Sequence, residues 1–88
     1  MPQGNSYLNI TSADTYIVKT GQGILHTIVV NATAAGTVIV YDNNAASGTI
    51  IATLKASIAE GTYIFDVCFS KGLTVVTGST NDITVNYQ

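Results

Sequence analysis

The sequence predicts an all-β chain folded as an antiparallel β-sandwich of about eight strands, jelly-roll-like in its order. Three observations predict it. Val, Ile and Thr number 9, 10 and 13 among 88 residues, and their branched Cβ atoms suit a pleated surface. Runs with strand character recur at short intervals, separated by clusters of Gly, Asn, Ser and Ala that read as turns. No helical segments alternate with the runs, which removes the βαβ architectures. An immunoglobulin-like sandwich ranks second, because the chain has no Trp and one Cys where that fold carries a Cys, Trp and Cys signature.

In chain order, Tyr7 to Ile10, Thr15 to Lys19 and Gly23 to Ala32 read as the first three strands, with the turn Thr20-Gly21-Gln22-Gly23 joining the second to the third. Thr37 to Asp42 and Thr49 to Lys55 follow, each after a small-residue loop. Ala52 to Glu60 is the one stretch that tolerates helix, yet Thr53, Ser57 and Ile58 weaken it and Gly61 stops it, so at most one turn is expected there. In Thr62 to Ser70, Tyr63, Phe65, Val67 and Phe69 fall on one face and Thr62, Ile64, Asp66, Cys68 and Ser70 on the other. The aromatic face is the core candidate. Leu73 to Thr77 precedes the cleanest alternation, in which Ile83, Val85 and Tyr87 oppose Asp82, Thr84 and Asn86. No fixed period recurs, which argues against a repeat array.

Residues 1–88 make one domain, since a chain of 9.2 kDa has no room for a second core. The cations are Lys19, Lys55 and Lys71, with no Arg and a net charge of −2, so the electrostatic term that dominates nucleic-acid affinity is missing. No nucleic-acid partner is expected. Nor is a membrane one, because no apolar run approaches the roughly 18 residues of a spanning helix. The start MPQGNSYLNITS has neither the basic nor the apolar segment of a signal peptide, and a single Cys makes no internal disulfide. Synthesis in a reducing cytosol is the expectation.

Burial arithmetic points outward from the single chain. A monomer of this mass buries only about 63% of its unfolded surface, yet Leu25 and Val29 oppose Ile24, Ile28 and Val30, Ile39 and Tyr41 oppose Val38 and Val40, and Ile51 opposes Ile50 and Leu54. One sandwich covers one face of each sheet. With 8 charged residues to keep the second faces soluble, another copy of the chain is the economical cover. A homo-oligomer is therefore expected, with Tyr7, Leu8, Ile10, Leu25, Val29, Ile39, Tyr41 and Ile51 at its contacts. Residues 1–10 read as a docking arm, polar at first and then carrying Tyr7, Leu8 and Ile10.

No catalytic, cofactor or metal site is assigned, and the chain is not expected to be an enzyme. The single His, His26, lies in a strand with no carboxylate or thiol beside it in sequence, so it reads as a satisfied or interfacial histidine, pH-responsive if buried between subunits. Cys68 lacks a CxxC partner and a nearby cation, and reads as a small hydrophobe. Asp14, Asp42, Glu60, Asp66 and Asp82 are scattered; Asp42-Asn43-Asn44 lacks the spacing of a calcium loop and reads as a hairpin turn. Gly21-Gln22-Gly23 opens onto a strand, so it presents no helix N-terminus to an anion. The tyrosines Tyr7, Tyr16, Tyr41, Tyr63 and Tyr87 sit at or near strand ends and read as core-edge packing.

Read together, GNSYLNITSADTYIVKTGQGILHTIVVNA, GTVIVYDNNAASGTIIATL, YIFDVCFSKGLTVVTG and NDITVNYQ resemble a family of small tailed-phage virion proteins. The resemblance lies in the succession of turns: TGxG before a long apolar strand, then VYDN, ASGTxIAT, FSxGLTV and DITVxY. It implies a non-enzymatic structural protein, a capsid decoration or cement subunit. Such a subunit would be a homo-oligomer, with a trimer favoured, bound to the major capsid protein or another virion protein on the capsid surface. The alternative it leaves open is a carbohydrate- or receptor-binding module of a phage tail or cell surface.

Overall fold

The computed structural model describes residues 6–88. They form eight strands, β1 Ser6–Ile10, β2 Thr15–Thr20, β3 Gly23–Ala32, β4 Val38–Asp42, β5 Thr49–Leu54, β6 Gly61–Phe69, β7 Gly72–Thr77 and β8 Asp82–Tyr87. Each sequence-predicted strand is present within a residue of its expected ends. Two four-stranded antiparallel sheets result, ordered β1-β8-β3-β6 and β2-β7-β4-β5. The chain doubles back between β4 and β5, and the remaining strands pair outward as β3 with β6, β2 with β7 and β1 with β8, alternating between the sheets. That nested winding is a jelly roll. The helix-tolerant stretch ends as β5 followed by a turn, where Ser57 takes a φ of 57°.

The core lies between the sheets and is built from Ile10, Leu25, Ile28, Val30, Val38, Val40, Leu54, Phe69, Leu73, Val75, Ile83 and Val85. Tyr63, Phe65, Val67 and Tyr87 pack against it from its margin, so the aromatic face of β6 and the apolar face of β8 point inward as the alternation predicts. On β3 simple alternation fails. Its ladders with both β6 and β8 shift register between Leu25 and Thr27, so Leu25, Ile28 and Val30 all face inward although Leu25 and Ile28 are three residues apart. Against β8 the extra residue is His26 of β3, whereas against β6 it lies on β6, where Phe65 and Asp66 oppose His26 and Asp66 takes a φ of 50°. Along β3 the side that carries the apolar groups reverses at this point. A similar shift between Val40 and Tyr41 turns Ile51 toward the core while Ile50 stays outside.

The turns are held by side chains. Tyr16 and Tyr63 each donate their hydroxyl to a carbonyl four residues upstream, Ser12 and Ala59, closing the loops that lead into β2 and β6. Asp42, at the end of β4, accepts the backbone N–H groups of Ser70 at 3.0 Å and Lys71 at 2.9 Å and so clamps the β6–β7 turn. The Lys71 N–H above all, joined by those of Ser70 and Gly72 and by the Ser70 hydroxyl, holds its carboxyl below the ordinary 3.8 against the opposing effect of burial. A depressed native value makes this clamp effective above the unfolded pKa and lost as pH falls through the native one. Asp42→Asn is expected to lower stability by about 1 kcal/mol at pH 7. As pH falls well below 3.8 its unfolding midpoint should converge on that of the unaltered chain; a gap that stays constant through the acid range would contradict the clamp.

Candidate functional site

The two sheets present chemically different outer faces. On the β1-β8-β3-β6 face a polar ladder crosses three strands. The Asn9 amide donates to the Asp82 carboxylate at 2.8 Å and to the Thr84 hydroxyl at 3.2 Å, and the Asn31 amide reaches the same two groups from the other side at 3.3 and 3.2 Å. Asn86 donates to the Thr27 hydroxyl at 2.7 Å. Asp66, 65% exposed, adds a second carboxylate, and Glu60 lies at the margin, accepting the Thr33 N–H. None of the four strands contains a lysine; Lys19 is in β2, Lys55 follows β5 and Lys71 is in the β6–β7 turn.

His26 sits on this face because the bulge in β3 puts it there. Its Nδ1 lies 3.1 Å from Asp66 Oδ1 and its Nε2 3.1 Å from Gln88 Oε1. With the Asp66 and Gln88 side-chain oxygens at its two nitrogens, the doubly protonated ring donates to both. The hydrogen bond to Asp66 first, then that to Gln88, raises the histidine above its ordinary 6.5. The tie between β3, β6 and the last residue is thus complete below pH 6.5 and is lost as pH rises through the raised native value. Hydrogen exchange at Gln88 is expected to speed up from pH 6 to pH 8 beyond the intrinsic pH effect; His26→Gln should abolish that excess. Beside the tie, Gln22, Gly23, Ile24, Cys68, Phe69 and Gln88 line an open cleft of about 370 Å³, with the Cys68 thiol exposed. Among the described residues no group of three or more His, Cys, Asp and Glu side chains is arranged to hold a metal ion.

The β2-β7-β4-β5 face is apolar. Cross-strand register lines up Ile17, Thr74, Tyr41 and Ile50 in one row and Thr15, Val76, Ile39 and Thr53 in the next. Ile17 and Ile50 are 55% and 50% exposed. Of the eight residues expected at contacts, Ile39 and Tyr41 lie on this face and Tyr7 and Val29 on the polar one. Ile10 and Leu25 are buried in the core and have no surface to offer a second copy, while Leu8 and Ile51 are partly buried against it. Ser6 to Ile10 of the expected arm is edge strand β1, paired with β8; residues 1–5 lie outside the described residues. Sequence reasoning missed Ile17, Ile50 and Val76 as one surface. Parity shows that a strand has an outer side, but only the register between strands shows that these outer sides align.

A jelly-roll sandwich with one polar and one apolar outer face is thus the class that the chain defines. No protein-family model and no curated protein matches the sequence. Among solved structures the chain is similar to the NLP core of Drosophila, described for pentamer formation and histone binding, with a TM-score of 0.59 and 19% identity over 97% of this chain and 96% of that one. At that identity the likeness establishes the fold.

The comparison corrects the expected function and partners. The neighbour is described for pentamer formation and histone binding, which does not fit a trimer docked on a capsid protein. The physical reason is legible in the fold. TGQG is the β2–β3 turn, VYDN ends β4, ASGT opens β5, FSKGLTV spans the β6–β7 turn and DITVNY is β8. Apart from the last, the motifs behind the phage resemblance lie at the corners of a jelly roll, a fold that hosts unrelated functions.

Proposed function

We propose that the chain is a histone-chaperone-like subunit, a jelly-roll sandwich that assembles with copies of itself, in fives, and holds a basic protein by binding without catalysis. The observation that carries the reading is the likeness over nearly the whole length of both chains to a pentameric histone-binding core. Charge supports it. The chain is acidic, with a pI of about 4.7, and the polar ladder displays Asp66 and Asp82 on strands without a lysine. Such a face attracts cationic side chains at long range and is screened by salt.

The test is titration of labelled core histones with the chain across a salt series. Binding is expected at about 0.05 M salt and should weaken at least about tenfold by about 0.3 M. Asp66→Asn with Asp82→Asn should cut affinity by about tenfold at low salt. Absence of binding at low salt, or equal binding of a neutral protein, would overturn the reading.

A further inference from the structure

We infer that the apolar outer face of the β2-β7-β4-β5 sheet is the surface that a second copy of this chain covers. The inference rests on the assembly just proposed and adds where the copies meet. The two rows, Ile17-Thr74-Tyr41-Ile50 and Thr15-Val76-Ile39-Thr53, run the full width of the sheet and contain no charged side chain. Thr74 is fully buried, so the apolar surface that the rows offer to solvent is Ile17 and Ile50 at the two edges with the half-buried Ile39, Tyr41 and Val76 between them. Apolar residues scattered singly are ordinary on a protein surface, whereas a band of five on one face is not. Ile64 and Tyr7, 72% and 71% exposed on the opposite face, stand apart among amides, hydroxyls and carboxylates. They make no such band.

Size and charge choose the occupant. The molecule measures 33 × 31 × 18 Å, so a broad face is large enough to supply the roughly 800 Å² per partner of a stable interface. A basic protein placed on the rows would desolvate its cations against a surface with no acid to pair them. A second copy, with 8 charged residues among 88, brings a surface with few charges to desolvate. A ring contact joins this face to a different surface of the next copy, and Ile17 and Ile50 become buried in it.

The experiment measures mass by sedimentation equilibrium for the full chain, for Ile17→Glu with Ile50→Glu, and for Ile64→Glu. Circular dichroism and thermal unfolding verify that each variant folds. The inference predicts that the double variant falls to the 9.2 kDa of one chain, while the Ile64 variant keeps the assembled mass. Should the double variant not fold, the milder Ile17→Ser carries the test, with an expected loss of about tenfold in association constant. An assembled wild type that Ile64→Glu dissociates and the double variant does not would overturn the assigned face and leave the proposed function standing. A double variant that keeps its mass but loses histone binding would give the face to the partner and overturn the inference. A wild type that is itself monomeric would overturn the assembly reading first.

Discussion

Phe69→Ala is expected to destabilise the chain by about 3–5 kcal/mol, the cost of emptying a large aromatic site in a core that relaxes only in part. Phe69 ends β6, is 2% exposed and is the largest of the fully buried side chains. Its ring lies under the start of β3, so close that a Cβ at Gly23 would fall 2.7 Å from its Cζ. Nothing smaller fills that space. A domain of this length has about 4–13 kcal/mol of stability in total, so the variant should lose a large share of it. Urea unfolding should show a midpoint shift at unchanged slope. A loss below about 1 kcal/mol would mean that the two sheets do not close on this ring.

Gly72→Ala should cost about 1–3 kcal/mol or more through overpacking. The Cβ it adds would lie 2.1 Å from Asn44 Oδ1 and 2.9 Å from the carbonyl oxygens of both Asn43 and Lys19. A side-chain oxygen can swing away; two backbone carbonyls cannot. Gly72 opens β7 opposite Thr20, next to the turn that Asp42 clamps, so a shift there moves β2 and β7 together. Thermal unfolding beside the exposed control Thr62→Ala, expected within about 0.5 kcal/mol of the parent, measures the difference. Equal midpoints for the two variants would show that the chain has slack at this corner.

The fold was legible wherever a strand keeps an unbroken period of two. The inward face of β6 and that of β8 follow directly from alternation at Tyr63, Phe65, Val67 and Phe69 and at Ile83, Val85 and Tyr87. Alternation misplaces Leu25 and Ile51 because the ladders slip at His26 and beside Tyr41. A slip of one residue reverses every later side chain, and no residue near His26 announces it: the bulge is recorded in the pairing of β3 with β6 and β8, not in β3 alone.

The surfaces were less legible than the core. Apolar residues on both sides of the strands are plain in the sequence at Ile39, Tyr41 and Ile50, but their union with Ile17 and Val76 depends on which strands neighbour one another. His26 and Asp66, 40 residues apart in sequence, meet only because β3 pairs with β6. The function expected from the phage resemblance went astray for a related reason. All but the last of the resembling motifs sit at corners that geometry imposes, and the groups that distinguish one sandwich from another lie on the open faces between them.

Native mass spectrometry of the chain mixed with core histones at low salt tests whether a self-assembling subunit carries a basic protein. One dominant species is expected, containing five copies of the 9.2 kDa chain together with bound histone. Free chains at the mass of one copy, with histone flying separately, would contradict it.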